Sequence, residues 1–321
     1  MKALAARFSQ LELLLATFAL GGIMLLPLAE IFSRKFLGAG IPGAGPYAQH
    51  LTMWVGLLGA AIAAREGKLL SLATGEFLPK GTIGAVAHVI AGAIGSLIAT
   101  LFAFGGVALV KSDKLAGDII ASNVPVWVSD LVLPFAFGLI ALRLAWRASP
   151  HWIGRAIAAL GIVAGWYISG HLDIFEGMAF TPFLVTVLVA GVLGAPIFTL
   201  LGGIAVFAFL VEGSKPIVLL IKASSELTTS TGLAAIPLFT LAGFLLAEGK
   251  SSERLLRVFR AWVGWVPGGT SIAAATLCAF FTLFTGGSGV TILVLGGLLL
   301  PAMLKDGYRE RFSIEIGRAH V

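Results

Sequence analysis

Residues 261–304 contain no Asp, Glu, Lys, Arg or His, and this run of 44 residues limits how the chain can fold more than any other feature. As one straight α-helix it would be roughly 66 Å long. The hydrocarbon core of a bilayer is about 30 Å thick, so the run must turn or break inside a membrane. The weakest helical stretch is 285–289, because it holds three glycines and each glycine costs a helix about 1 kcal/mol relative to alanine.

The composition places the rest of the chain in lipid as well. Of 321 residues, 58% are hydrophobic and 12% are charged, whereas about 25% of the residues in soluble domains are charged. A soluble enzyme is therefore excluded. The net charge of +6 comes from Lys and Arg residues that flank apolar runs, so these residues indicate membrane topology and not nucleic-acid binding.

The first half of the chain contains apolar runs that are long enough to cross a bilayer. The first run has 22 residues and no small-residue cleavage site; because the core of a signal peptide has only about 7–15 residues, we expect a retained anchor. With the amino end inside, the inner segments hold eight Lys or Arg residues and the outer loops hold four, as cytoplasmic inner segments should. The predicted spans are 11–32, 47–64, 83–110, 124–146 and 152–169.

A short polar loop at 171–181 marks a predicted domain boundary. Beyond it, 177–211 has no charged residue and is interrupted by Gly-Ala-Pro at 194–196, which fits either one kinked span or two half-spans. Residues 215–230 are too polar to span and are predicted to form an interfacial helix, before 232–247 returns to the membrane. The basic segment 250–260 favours the cytoplasm, but a single span at 183–211 would place it outside.

A break at membrane depth is usually a site, because its free backbone groups are tolerated only in buried or water-lined positions. Freed carbonyls and the hydroxyls of Thr285, Ser288 and Thr291 would form an oxygen-rich cage that suits sodium. The amino end of the following half-helix would suit a carboxylate. The alternative is that Gly286, Gly287 and Gly289 only allow close helix packing.

Ionisable residues within the predicted spans are further candidates, because charges in lipid are costly. Glu12, Glu30 and His50 lie near span ends, where they can reach the interface, whereas His88 and Asp130 lie deeper by position. No Ser-His-Asp, paired-carboxylate or metal-histidine spacing occurs, so the sequence gives no support for an enzyme. The single cysteine, Cys278, excludes an intrachain disulfide and is predicted to be a small buried residue.

Three consecutive segments of the second half resemble the large subunit (DctM-like) of tripartite ATP-independent periplasmic (TRAP) transporters. AIPLFTLAGFLLAEG at 235–249 resembles a helix opened by a proline-phenylalanine pair. RLLRVFRAWVGWVPGG at 254–269 resembles the basic helix and its Val-Gly-x-x-x-Gly-Gly close, and FFTLFTGGSGVTILVLGGLLLPAMLKDGY at 280–308 resembles the re-entrant hairpin.

The first half is similar to the small subunit (DctQ-like) of the same family. WVGLLGAAIAAREGKLLSL at 54–72 resembles the helix that ends in Ala-x-Arg-x-Gly, although Lys68 stands where a histidine is common. VPVWVSDLVLPFAFGLIALRL at 124–144 resembles the last small-subunit helix, and 152–169 corresponds to the linker helix of fused members.

The resemblance implies an all-α polytopic membrane protein with a four-helix small-subunit-like scaffold, a linker helix and the first repeat of an elevator-type transport domain with a re-entrant hairpin. The implied domains are 1–150, 151–176 and 177–315. The implied function is sodium-driven symport of an organic acid, a C4-dicarboxylate or related carboxylate, across the bacterial inner membrane. A periplasmic solute-binding protein would deliver the substrate. The alternative is a membrane-embedded scaffold or assembly protein without transport activity.

The resemblance also identifies the hairpin tip as the first of two sodium sites. Gly287 stands where many members have a second serine, which removes one hydroxyl ligand but no backbone carbonyl. Ser288 and Thr291 are in addition candidates for contacting substrate. The implied sodium ligands are Thr285, Gly286, Gly287, Ser288, Gly289 and Thr291.

The family's large subunit continues into an inverted repeat with a second hairpin, whereas this chain ends soon after Tyr308. Residues 316–321 also resemble the translation of a sequencing-library adapter, so we expect them to be an assembly artefact. Our hypothesis is a truncated gene product that cannot transport alone, because one repeat leaves half of the central site unbuilt. Proteoliposomes with sodium and the cognate binding protein should therefore show no uptake, and substrate accumulation would refute the hypothesis.

Overall fold

The computed structural model describes residues 2–72, 81–121, 124–213, 216–229, 251–285 and 288–318, and four isolated positions between 238 and 245. Within these residues all regular structure is helical, apart from two isolated β-bridges. The predicted all-α membrane fold is thus confirmed. Four helical segments are long and apolar enough to cross a membrane, namely Arg7–Phe36, Thr82–Ala116, Val126–Arg147 and Trp152–Gly170.

The helices of the first half follow the predicted runs and extend beyond several of them. The predicted span 47–64 forms a helix of 23 residues, but it is not among the four segments above. The predicted span 124–146 is divided at Leu131. The helices are α1 (Lys2–Phe36), α2 (Ala44–Glu66), α3 (Thr82–Ala116), α4 (Val126–Asp130), α5 (Val132–Arg147) and α6 (Trp152–Gly170).

The helices of the second half are shorter. A 3-10 helix at Leu172–Phe175 follows α6. The α-helices are α7 (Thr181–Val192), α8 (Ile197–Val211), α9 (Pro216–Thr229), α10 (Ser251–Val263), α11 (Gly269–Thr285), α12 (Ser288–Lys305) and α13 (Glu310–Arg318). The chain forms two compact units, Met1–Ser230 and Thr231–Val321.

Helix α3 is the centre of the first unit and packs against α5, α6, α8 and α9. Its contact with α6 depends on small residues: a Cβ on Gly161 would lie 2.0 Å from the carbonyl oxygen of Ala93. Ser96 donates a hydrogen bond of 3.0 Å to the carbonyl oxygen of Ala158 across the same contact. The linker helix α6 therefore lies backbone to backbone against α3, as small residues allow in membranes.

A buried ion cluster joins α1 to α2 and α5. The side chain of Glu12 is fully buried and contacts the guanidinium of Arg143 at 2.5 Å and that of Arg65 at 3.2 Å. Arg143 also donates to the carbonyl oxygen of Ala61 at 2.7 Å. Glu12 was expected to reach the interface, but its two arginine partners hold it inside the bundle.

Helices α7 and α8 form an antiparallel hairpin, so 177–211 contains two short helices and is not one kinked span. The rings of Phe183 and Phe207 stack with centroids 4.9 Å apart, and Gly203 lies against Val187. The amide of Gly177 donates to the carbonyl oxygen of Val211 at 3.1 Å, so the hairpin closes at its base. With 12 and 15 residues, the helices are only about 18 and 22 Å long.

The turn of this hairpin contacts the segment that follows α2. Pro196 forms a β-bridge with Ser71, and the amide of Ile197 donates to the carbonyl oxygen of Leu70 at 2.8 Å. The chain therefore enters and leaves the hairpin at one end of the bundle and turns at the other. The two helices of the hairpin together therefore add no net crossing to the first unit.

Helix α9 packs against α2 and α3, and not as a span of its own. Leu220 is buried in the same cluster as Met53, and the Ser224 hydroxyl lies 3.7 Å from the Met53 sulfur. Asp130 is also buried in this unit, with 2% of the residue exposed. The first four-helix region and the helices up to residue 229 therefore share one packed unit.

We predict that reporters fused after Gly177 and after Gly213 lie on the same side of the membrane. The reason is that α7 and α8 return the chain to the end from which it entered. Fusions to alkaline phosphatase and to a cytoplasm-active fluorescent protein provide the measurement. One kinked span would place the two positions on opposite sides, and that result would contradict the hairpin.

We expect Glu12→Gln to destabilise the first unit by about 2–4 kcal/mol, because it removes a fully buried carboxylate and leaves the half-buried Arg143 without a described counter-charge. Glu66→Gln is the matched control: Glu66 is exposed and lies 3.0 Å from Lys68 and 3.9 Å from Arg65, so its loss should cost about 0–1 kcal/mol. Unfolding of the purified chain in detergent measures both changes. Equal losses in the two variants would show that the Glu12 cluster contributes no more than a surface pair.

Candidate functional site

The second unit is built around an antiparallel hairpin of α11 and α12. The two helices pack against each other along their length, which brings residues of the first and last turns together. Their shared core is apolar and draws from both helices; its members are Ala273, Ala274, Leu277, Cys278, Leu295, Leu299 and Met303. The predicted burial of Cys278 is confirmed, with 3% of the residue exposed.

The uncharged run 261–304 breaks where its glycines predicted. Helix α11 ends at Thr285 and α12 begins at Ser288. A second break lies between α10 and α11, at 264–268, where Gly268 has a φ of 83°. The length of the run required only one break. The second break coincides with the Val-Gly-x-x-x-Gly-Gly motif at 263–269. The run is thus divided into segments that each fit within a bilayer.

The hairpin tip brings together two helix ends of opposite partial charge. The carboxyl end of α11 presents carbonyl groups that lack partners within the helix, and the amino end of α12 presents amide groups that lack them. The first end attracts cations and the second attracts anions. Since two residues separate Thr285 from Ser288, both kinds of group meet at one position of the second unit.

The predicted sodium ligands lie at this tip, but most of their atoms lie outside the described residues. Gly286 and Gly287 are outside the description altogether, and only the helical backbone is described for Thr285, Ser288, Gly289 and Thr291. Among the described residues, no three His, Cys, Asp or Glu side chains form a metal-binding group. The sodium site therefore stays a prediction that rests on helix ends and hydroxyls.

An ion pair closes the opposite end of the hairpin. The carboxylate of Asp306 accepts hydrogen bonds of 2.7 Å from both the Arg260 guanidinium and the Thr270 hydroxyl. Arg260 also donates to the carbonyl oxygen of Ala302 at 3.1 Å. Helix α10 is therefore fixed to the base of the hairpin.

The other ionisable candidates are distributed over the first unit and do not form one site. Glu30 contacts Arg34 at 2.6 Å, and His50 lies 2.9 Å from the Ser129 hydroxyl. His88 is exposed on the second turn of α3. Asp130 is buried as its position indicated.

Sequence reasoning missed two arrangements. It did not pair Glu12 with Arg143 and Arg65, and it did not predict that the turn at 194–196 meets Leu70 and Ser71. The only local signal for the second was the Gly-Ala-Pro interruption. Both arrangements join segments that are far apart in the chain.

Two family models match the chain. The model for the tripartite ATP-independent periplasmic transporters, DctQ component, matches residues 23–152. The model for the tripartite ATP-independent periplasmic transporter, DctM component, matches residues 184–319. The α11–α12 hairpin lies within the second match, and the Glu12 cluster lies partly within the first.

Curated relatives agree with both matches. The chain is 31% identical over 206 residues to the isethionate TRAP transporter permease protein DctMQ of Oleidesulfovibrio alaskensis, which is 61% of this chain and 31% of that protein. It is 34% identical over 84 residues to the ectoine TRAP transporter large permease protein TeaC of Halomonas elongata, covering 26% of this chain and 20% of TeaC.

A third relative is the C4-dicarboxylate TRAP transporter large permease protein DctM of Vibrio cholerae, 36% identical over 81 residues, which cover 25% of this chain and 18% of that protein. The chain thus matches about a third or less of the length of each of these relatives. From the two consecutive family matches and the helical membrane fold, the chain belongs to the TRAP transporter permeases of the inner membrane, with a DctQ region followed by a DctM region.

Proposed function

We propose that the chain is part of a sodium-coupled importer of small organic acids, in which the α11–α12 tip holds the first sodium ion. The observation that carries the proposal is the antiparallel hairpin within an uncharged run, with a helix carboxyl end and a helix amino end two residues apart. Carbonyls and hydroxyls are the oxygen ligands that a small hard cation prefers, and the amides of α12 suit a carboxylate.

The substrate class is proposed as a C4-dicarboxylate or a related carboxylate. The names of the relatives refer to isethionate, ectoine and C4-dicarboxylates, so the family as a whole does not specify one solute. Ser288 and Thr291 are the proposed substrate contacts because they lie in the first turn of α12. A periplasmic solute-binding protein is the proposed partner that delivers the solute, and the proposed role is transport and not catalysis.

The division of labour follows the two compact units. We propose that Met1–Ser230 supplies the stationary scaffold and that the moving transport domain begins after residue 230. The packing of α7, α8 and α9 with α3 supports this division. The scaffold would then include the first helices of the DctM region, beyond the boundary at residue 177 that composition predicts.

We expect Ser288→Ala and Gly286→Ala to abolish sodium-dependent uptake while membrane insertion is retained. The first change removes a hydroxyl ligand and the second adds a Cβ at the predicted ion site. Thr276→Ala is the matched control, because the Thr276 hydroxyl bonds only to the carbonyl oxygen of Ile272, in its own helix, at 2.9 Å. Uptake of a radiolabelled C4-dicarboxylate is measured against sodium concentration, with the binding protein and a complete DctM region present.

The competing function is a membrane-embedded scaffold that uses the glycines only for packing. Such a protein would tolerate Ser288→Ala as readily as Thr276→Ala. Unaltered sodium dependence in the Ser288 variant would therefore contradict the sodium site. Loss of uptake in all three variants would equally contradict it, since the control hydroxyl lies away from the tip.

A further inference from the structure

A cavity of about 290 Å³ lies in the first unit, at the end of the bundle where the α7–α8 hairpin turns. Its wall comes from four places: the segment after α2, the start of α3, the end of α5 and the hairpin turn. The wall residues that matter here are Gly67, Ser71, His88, Arg147, Gly194 and Pro196. The cavity therefore joins the DctQ region to the first helices of the DctM region.

Arg147 brings to this cavity a positive charge that no described carboxylate compensates. Its guanidinium donates to the carbonyl oxygen of Arg65 at 2.9 Å, but no carboxylate of the described residues lies within ion-pair distance. The neighbouring cations differ, because Arg65 and Arg143 contact Glu12 and Lys68 contacts Glu66. Arg147 is thus one of the cations at this end without a carboxylate among the described residues, and it is the one that lines the cavity.

Gly67 shapes the position of this guanidinium. With a φ of 72°, Gly67 ends α2, and a Cβ there would lie 2.2 Å from Nη2 of Arg147. The guanidinium therefore lies directly over the glycine backbone. One of its two terminal nitrogens, Nη1, is occupied by the Arg65 carbonyl, so its other donors remain for a ligand.

Other groups of the wall are also suited to an anion. His88 is exposed and makes no side-chain hydrogen bond within the described structure, so its ring can donate. Ser71 adds a hydroxyl. Pro196 precedes the first residue of α8, a helix of 15 residues, whose amino end adds partial positive charge. These groups belong to three separate segments and converge on one cavity.

The surroundings of the cavity indicate a membrane interface. Trp146 and Trp152, at the end of α5 and the start of α6, are 66% and 76% exposed. Arg155 lies 4.3 Å over the Trp146 ring. Exposed tryptophans mark the headgroup level of a bilayer, and the excess of Lys and Arg marks this end as cytoplasmic. Basic pockets between membrane helices at that level bind anionic headgroups.

We propose that this cavity binds the phosphate of an anionic phospholipid headgroup, with Arg147 and His88 as its donors. The bound phosphate would lie between the end of α5 and the turn of the α7–α8 hairpin, and so would hold the DctQ and DctM regions of the unit together. The proposal is independent of the sodium site, because every residue involved belongs to the first unit.

Lipid retention by the purified chain tests the proposal. The chain is extracted into nanodiscs that contain equal amounts of phosphatidylglycerol and phosphatidylcholine, and the lipids that remain bound are counted by native mass spectrometry. We expect preferential retention of phosphatidylglycerol, and a drop of about fivefold in Arg147→Gln, since one basic residue near a membrane surface contributes about 1 kcal/mol. Arg34→Gln is the matched control, because Arg34 is an exposed arginine paired with Glu30, in a predicted outer loop.

His88→Gln provides a second test that does not depend on whether Arg147→Gln folds, since the His88 side chain makes no hydrogen bond among the described residues. It should also lower phosphatidylglycerol retention, and Arg147→Lys should restore part of the loss in Arg147→Gln. Equal retention of the two lipids, or equal effects of the Arg147 and Arg34 changes, would overturn the proposal.

A second measurement separates a lipid from a free phosphate. Thermal unfolding in detergent is followed with short-chain phosphatidylglycerol and, separately, with inorganic phosphate at the same concentration. We expect the lipid to raise the unfolding temperature of the unaltered chain and to have less effect on Arg147→Gln. Stabilisation by inorganic phosphate alone would show that the cavity takes a free anion, and would overturn the lipid assignment.

Discussion

A backbone inside a bilayer has no water to pair with, so every break in a helix must be buried or must line a cavity. Both hairpins of this protein contain such a break. The α7–α8 hairpin turns against Leu70 and Ser71, which bond to the chain at the turn. The α11–α12 hairpin turns between Thr285 and Ser288, where the proposed sodium site lies. One constraint thus produces a structural turn in one unit and a candidate binding site in the other.

Charged side chains are also costly to bury away from water, and here they are buried together with groups of opposite charge. Glu12 is buried because Arg143 and Arg65 approach it from two other helices, so the cost of desolvation is shared among groups that compensate each other. At the base of the α11–α12 hairpin, the partly exposed Asp306 is likewise paired, with Arg260 and Thr270. The ionisable residues that sequence patterns indicate as functional therefore include several whose described partners explain their presence.

The sequence predicted what depends on local composition. The break at 285–289 followed from the length of an uncharged run and three glycines, and the helices of the first half followed from apolar runs. Long-range pairs could not be predicted in the same way. Glu12 and Arg143 are 131 positions apart, and nothing in the local pattern of either residue identifies the other. Position along a span therefore did not indicate which of these side chains is buried by partners, as Glu12 is, and which is exposed, as His88 is.

The packing of α7, α8 and α9 into the first unit has a consequence for how a fused permease can be divided. Helix α6 lies between most of the DctQ match and the DctM match, but the packed unit continues to residue 230. A cut in the loop after α6 would separate α7–α9 from the helices that bury them. The two polypeptides would then have to associate before this unit could form. In a single chain this association step is intramolecular, because the α7–α8 hairpin is covalently connected to α3.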